Sequence, residues 1–181
     1  IIQKINNKYN NYIIIKSTVV PGTVENLSRK YKNLKNVFFV SNPEFLREGY
    51  AWKDFILPDK IVIGSKNKSI NKKIKKIYND FNSKFFLLKP DSAEFSKYLS
   101  NTALSSMISF SNEMLMIAER TGISDIKSVF ASLHADKRWI GKPAKISQYI
   151  YPGIGFGGYC LPKDLDAFIK YSKKIKVKTP I

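Results

Sequence analysis

Cys160 is the only cysteine in this 181-residue chain. A single thiol excludes an internal disulfide framework and points to a reducing compartment, so a cytoplasmic setting is expected. Histidine is equally scarce. His134 is the only one, with no cysteine or carboxylate partner at ligand spacing, so it is read as structural and no metal site is expected. No apolar run approaches the ~20 residues that a membrane span needs, and no signal-peptide pattern opens the chain, so no membrane partner is expected. There is no initiator Met either, which suggests a piece of a longer protein. Arginine stands at only four positions, Arg29, Arg47, Arg120 and Arg138, although the formal charge is +17, from 31 basic and 14 acidic residues. Such a balance suggests a polyanionic partner. Its distribution argues otherwise. The lysines are scattered, with local clusters at 72–76 and 170–178, and arginine, the residue best suited to phosphate and base forks, is rare. Nucleic acid is therefore not an expected partner. Salt-dependent binding to generic duplex DNA would be the mark of that alternative. The basic surface suits attraction of an anionic small substrate.

What is present is an α/β rhythm. Residues 12–20, YIIIKSTVV, read as a buried strand rich in β-branched residues, and Pro21 and Gly22 break it. Helical spacing follows over 23–32. VFFVS (37–41) is a second strand, and NPEFLREG (42–49) reads as a short helix with Asn42 as cap, Pro43 in its first turn and Gly49 at its exit. KIVIG (60–64) is a third strand. Residues 70–81 form an amphipathic helix with Ile70, Ile74, Ile77 and Phe81 on one stripe, and 85–89 is a fourth strand. Strands alternating with helices imply a largely parallel sheet. From Asp91 to about Arg120 no glycine or proline interrupts, which predicts one long helix ended by Gly122, and Ser124 caps another that runs to about Leu133. Residues 135–158 are loop-rich, and a last helix covers 162–174. The boundary expected from this pattern divides 1–90 from 91–181.

The densest chemical signal is GFGGYCLPKD, residues 155–164. Pro162 and Asp164 suit the first turn of a helix, which puts Cys160 at or just before a helix N-terminus. That placement lowers a thiol's pKa and makes it nucleophilic. Gly155, Gly157 and Gly158 leave room for a ligand to approach the backbone. A buried, inert cysteine beside a flexible loop is the alternative.

Four segments taken together resemble the UDP-glucose/GDP-mannose dehydrogenase family: KSTVVPGT (16–23), NPEFLREG (42–49), AEFSKYLSNT (93–102) and PGIGFGGYCLPKD (152–164). The resemblance implies the C-terminal half of a Rossmann-type NAD-binding domain followed by an α-helical central domain that forms a homodimer through its long helix. It also implies NAD as cofactor and a nucleotide sugar as substrate, whose primary alcohol is oxidised to a carboxylate by two hydride transfers. UDP-glucose is the first expectation, with a UDP-N-acetylhexosamine or GDP-mannose as alternatives. A thiolate must trap the intermediate aldehyde as a thiohemiacetal so that a second hydride can leave, and the resulting thioester is hydrolysed. By resemblance Cys160 is that nucleophile.

Lys97 and Asn101, four residues apart on a helix, share one face and are assigned to oxyanion stabilisation. Elsewhere in so lysine-rich a chain the same pair would be a solvated face. Glu44 resembles the carboxylate that works with water in thioester hydrolysis. Glu48, one turn further along the expected short helix, resembles one near the nicotinamide. Thr18, at a strand end, matches a residue that positions water and touches cofactor. Asp164 resembles a carboxylate supporting the site water, and Lys163 a lysine on the cofactor side. Phe45, Leu46 and Arg47, with Tyr149, Ile150, Tyr151, Pro152, Gly153 and Gly157, match segments that hold the sugar nucleotide. Arg138 corresponds loosely to an arginine that reaches a neighbouring subunit's substrate, in a region longer here than the family pattern. GxGxxG, the phosphate-binding turn of dinucleotide folds, is absent, so the first half of the NAD domain is expected upstream of Ile1. The chain is expected to be the catalytic core of such an enzyme, inactive by itself; the alternative is a piece that only dimerises and holds substrate.

Overall fold

The computed structural model describes residues 9–47, 49–140, 169, 173 and 175–177. They fall into two compact units, Ile1–Ala103 and Leu104–Ile181. The first holds a four-stranded sheet in the order β1-β2-β3-β4. Its strands are β1 (Asn11–Ile15), β2 (Val37–Ser41), β3 (Lys60–Gly64) and β4 (Lys84–Leu88), and between them come helices α1 (Thr23–Lys30), α2 (Ala51–Ile56) and α3 (Lys68–Lys76). Helix α4 (Pro90–Thr121) follows β4. β1 pairs parallel with β2 over five residues, from Asn11↔Val37 to Ile15↔Ser41, and β3 with β4 likewise, from Lys60↔Lys84 to Gly64↔Leu88. The two parallel pairs meet antiparallel at one position, Ser41↔Gly64, the last residue of each strand. The expected α/β fold with a mostly parallel sheet is thus present.

The core sits between the sheet and α3. Val40, Ile61, Ile63, Ile70 and Ile74 form it, with Tyr12, Ile14, Phe38, Tyr78, Phe81 and Phe85 packed around them. Asn67 caps α3 by accepting from the Ser69 N–H at 2.8 Å. Ile70 and Ile74 follow the expected stripe, but the helix ends at Lys76, so Ile77 is 62% exposed.

Two expectations fail around the strand ends. The first strand stops at Ile15 rather than running to residue 20. KSTVV has the residue types of a strand but no partner, because β2 ends at Ser41. Nor is 42–49 a helix. Asn42 is tied into the sheet, its N–H donating to Ile15 O (2.9 Å) and its Nδ2 to Val62 O (2.7 Å), so its side chain cannot cap a helix. Residues 42–47 are irregular, Gly49 takes a positive φ of 78°, and the helix starts only at Ala51. Glu44 is therefore not on a helix, and Glu48, expected one turn on, lies outside the described residues.

In the second unit, α4 ends as its sequence predicts. Gly122 adopts φ 76°, and the Ile123 N–H reaches Ala118 O at 2.9 Å, a left-handed C-cap closing the last turn. Helix α5 (Ile126–His134) is capped by Asp125, whose Oδ1 accepts from the Ser128 N–H, rather than by Ser124. A short α6 (Lys137–Ile140) interrupts the stretch expected to be loop. Of the helix expected over 162–174, Ile169 and Lys173 are described and are helical. The glycine-rich loop with Cys160 lies outside the described residues.

Candidate active site at the ends of β1 and β2

Parallel strands bring their C-terminal ends to one edge, where ligands bind in sheets of this kind. The segments that leave β1 and β2 at that edge carry Lys16 and Thr18, and Asn42 and Glu44. Thr18 lies three residues beyond β1, exposed, in the link to α1. Asn42, 1% exposed, is the hub of the edge. Besides its bonds to β1 and β3, its Oδ1 accepts from Lys16 Nζ at 3.1 Å and from the Tyr78 hydroxyl.

Glu44 follows two residues later and is half-buried. Its Oε2 accepts from the Leu46 N–H at 2.7 Å, which fixes the turn locally. Its Oε1 lies 3.3 Å from Lys97 Nζ, on the second turn of α4. Burial is the largest single influence on the Glu44 carboxyl and pushes its pKa up. The Leu46 N–H, the hydrogen bond and charge of Lys97, and the charge of Lys16 together outweigh it, so the pKa lies below the ordinary value. Lys97 is 6% exposed, a depth at which an ammonium needs a partner, and Glu44 is that partner. Phe45 lies under two cations, with Lys60 Nζ 4.1 Å and Lys97 Nζ 5.3 Å from its ring centroid.

One turn before Lys97, Glu94 is 2% exposed and spans 72 residues of sequence to reach the start of α1. Its two oxygens accept from the Gly22 N–H at 2.5 Å and the Val24 N–H at 2.8 Å. A helix leaves its first N–H groups without partners, and here a carboxylate from another helix takes two positions of that cap. The link carrying Thr18 and the helix carrying Lys97 are thereby fastened together.

Residues 1–82 match the NAD binding domain of the UDP-glucose/GDP-mannose dehydrogenase family, and residues 91–181 match its central domain. The chain belongs to this family. A UDP-glucose 6-dehydrogenase from Pseudomonas aeruginosa is 38% identical over 173 residues, covering 90% of this chain and 36% of that protein. One from Rickettsia prowazekii is 38% identical over 174 residues, covering 93% of this chain and 38% of that protein. Among solved structures, a GDP-mannose dehydrogenase from Pseudomonas aeruginosa aligns with a TM-score of 0.76 at 29% identity, covering 93% of this chain and 39% of that one. A UDP-glucose dehydrogenase from Pyrobaculum islandicum aligns with a TM-score of 0.66 at 36% identity, covering 94% of this chain and 39% of that one. The chain spans little more than a third of the length of these relatives.

NAD is the cofactor of the matched domain. Thr18, on the link that leaves β1, is exposed, whereas the amides at the N-terminus of α1 are already occupied by Glu94. The structure brings together Glu44, Phe45 and Lys97 of the expected site. Asn101 lies one turn beyond Lys97 on α4, exposed where Lys97 is buried. Leu46 is 38% exposed, and Arg47 is held by Asp54 through Nε (2.9 Å) and Nη2 (2.6 Å). Arg138 is held by Asp136, and the His134 ring lies between Phe130 and Trp139 in the second unit. Among the described residues no group of three or more His, Cys, Asp or Glu could hold a metal, and no helix is long and apolar enough to cross a membrane. Glu48, Tyr149, Ile150, Tyr151, Pro152, Gly153, Gly157, Cys160, Lys163 and Asp164 lie outside the described residues.

Sequence reasoning missed Lys16, Asn42 as a hub, Tyr78, and Glu94. Glu94 carried a usable signal, because it sits three residues before Lys97 in AEFSK and so shares its helix face. Tyr78 carried none, since only the fold brings it to Asn42.

Proposed function

We propose that this chain is the catalytic middle of an NAD-dependent nucleotide-sugar 6-dehydrogenase, with UDP-glucose as the substrate. The observation that supports the reading is the meeting of Lys97 with Glu44, 3.3 Å apart across 53 residues of sequence. NAD, when bound, accepts the hydrides. The chain's own residues do the rest. Lys97, with Asn101 one turn on, offers a cation and an amide to oxygens that gain charge as the alcohol and then the aldehyde react. The Cys160 thiolate adds to the aldehyde carbon, and the thiohemiacetal then loses its hydride to give a thioester. Glu44, ionised and hydrogen-bonded, takes a proton from the water that attacks that thioester, with Thr18 and Asp164 orienting the water. The carboxylate leaves and the thiol is restored. Glu48 and Lys163 belong on the cofactor side. Phe45, Leu46, Arg47 and the 149–153 segment with Gly157 belong with the sugar nucleotide.

A homodimer through α4 is part of the proposal. Leu104 (53%), Ile108 (63%), Phe110 (44%) and Met116 (54%) are exposed along it, and a partner copy would cover them. A monomeric mass by light scattering for the full-length enzyme would remove this part. The deciding experiment is NADH production by the full-length enzyme across a panel of UDP- and GDP-sugars, beside its Cys160→Ser variant. UDP-glucose should give the highest rate, and the variant should form no acid, because a hydroxyl is a far poorer aldehyde trap at neutral pH. Normal uronate production by Cys160→Ser would refute the covalent route.

A further inference from the structure

Residues 42–47 leave β2 without regular structure, so side chains must fix what a ladder or a helix would otherwise fix. One hold is at Glu44, whose Oε1 lies 3.3 Å from Lys97 Nζ. The other is at Arg47, and it comes from Asp54 of α2, seven residues on. Asp54 Oδ2 accepts from the Arg47 main-chain N–H and from its Nε, each at 2.9 Å, and Oδ1 accepts from Nη2 at 2.6 Å. The Tyr50 N–H donates to Arg47 O at 3.0 Å, and the Asp54 N–H to Tyr50 O at 2.9 Å, so the set of contacts closes on itself. The guanidinium carbon lies 5.3 Å from the Tyr50 ring centroid. The Arg47 side chain is 68% exposed, and an exposed ion pair adds little to stability. A carboxylate that takes a main-chain N–H together with both arms of an arginine fork does something more specific: it fixes the path of the backbone.

We propose that Asp54 is a positioning residue for the sugar-nucleotide segment: by holding the Arg47 main-chain N–H, it sets the course of Phe45 and Leu46 between Lys97 and α2. The proposal deepens the dehydrogenase reading and rests on it, because that reading puts 45–47 with the sugar nucleotide. It also changes what Arg47 contributes. Two nitrogens of its guanidinium face Asp54, so the segment meets an anionic ligand with a neutralised pair rather than a bare cation. Glu44 keeps its own hold on Lys97. Loss of Asp54 therefore reaches substrate affinity before it reaches the proton transfer at Glu44.

The test compares Asp54→Ala, Asp54→Asn and Arg47→Ala in the full-length enzyme. Asp54→Ala should raise KM for UDP-glucose, or for whichever panel sugar the enzyme oxidises, about tenfold while lowering kcat less than about threefold. Asp54→Asn keeps an oxygen for the Arg47 N–H and should recover most of that loss. Arg47→Ala keeps the main-chain bond and should raise KM less than Asp54→Ala does. Hydrogen exchange of the unliganded protein reads the segment without substrate. The Leu46 N–H bonds to Glu44 and the Tyr50 N–H to Arg47 O, so neither touches Asp54. Both should exchange about tenfold faster in Asp54→Ala, with the β3 amides changed far less. An unmoved KM, a larger KM rise in Arg47→Ala than in Asp54→Ala, or exchange that quickens equally in β3 would each overturn the proposal. A wild-type enzyme that oxidises no sugar of the panel would instead remove the dehydrogenase reading, and the sugar-nucleotide role with it, while exchange still shows whether Asp54 holds the segment.

Discussion

Replacing Glu94 by leucine should destabilise the first unit by several kcal/mol, on the order of the cost of two lost hydrogen bonds. Leucine fills a similar volume, so the loss isolates the two hydrogen bonds to Gly22 N–H (2.5 Å) and Val24 N–H (2.8 Å). An N–H left without an acceptor costs about 1–3 kcal/mol, with the part-buried Gly22 N–H at the lower end and the buried Val24 N–H above it. Losing a negative charge at a helix N-terminus adds about 0.3–1 kcal/mol. The sum is about 4 kcal/mol, a large part of the roughly 5–15 kcal/mol that holds a domain folded. With a urea slope near 2 kcal/mol/M, the unfolding midpoint should fall by about 2 M. Glu94→Gln keeps one acceptor but turns an NH2 group toward the other amide, so about half the loss is expected. Hydrogen exchange gives a local readout. The Gly22 and Val24 amides should lose protection in Glu94→Gln, while the α3 amides around Ile74 should not. A cost below about 1 kcal/mol for Glu94→Leu, or unchanged exchange at both amides, would refute the capping argument.

Three further outcomes follow from the same geometry. Gly64→Ala should destabilise by roughly 1–3 kcal/mol in urea unfolding, because its Cβ would lie 2.4 Å from Ala93 Cβ and 2.8 Å from Lys89 O. Lys97→Met should lower stability, by up to about 3 kcal/mol, and remove dehydrogenase activity from the full-length enzyme, because it leaves the half-buried Glu44 carboxylate without its ion-pair partner. Unchanged or raised stability in thermal melts would contradict this. The Asp54 carboxyl, pulled down to about 2 chiefly by its hydrogen bonds to Arg47, contributes stability that is present above its unfolded value of 3.8 and is lost as pH falls towards 2. The Tm gap between wild type and Asp54→Asn should therefore close over that interval, and a gap that persists at pH 2 would show that the ion pair is not its source.

The sheet was legible because it depends on local pattern. VFFVS and KIVIG end where turn residues and proline stop the ladder, and the strands occupy the same residues in the structure. The helix expected over 42–49 failed for a reason that no local rule contains. Asn42 and Pro43 have the composition of a helix start, but Asn42 is claimed by Ile15 and Val62, partners 27 and 20 residues away. The strand expected to residue 20 failed because β-branched residues make a strand only beside a partner. At the candidate site, Glu44 and Lys97 could be picked out by resemblance, and the fold then brought them together. Lys16 and Glu94 act through long-range bonds to amide groups, one for Lys16 and two for Glu94, and the partners in such bonds leave no periodicity to read.

The first two turns of α4 explain why these residues stand where they do. Gly64 ends β3 without a side chain, and Ala93 packs against the gap, which lets the helix begin directly over the strand end. Glu94 and Lys97, three residues apart, then lie on one face of it. The first reaches the start of α1 just beyond the Thr18 link, and the second reaches Glu44 just beyond β2. One turn of helix therefore sets the separation between the segments that leave two neighbouring parallel strands. Lys97 is buried because it belongs to this spacing, and its charge is tolerated there because Glu44 lies at its other end. A shift of α4 by even a fraction of a turn would release Gly22 and Val24 from Glu94 and draw Lys97 away from Glu44 together. The helix cap and the ion pair are thus one positional constraint, and the chemistry proposed for Glu44 depends on the residue that caps α1.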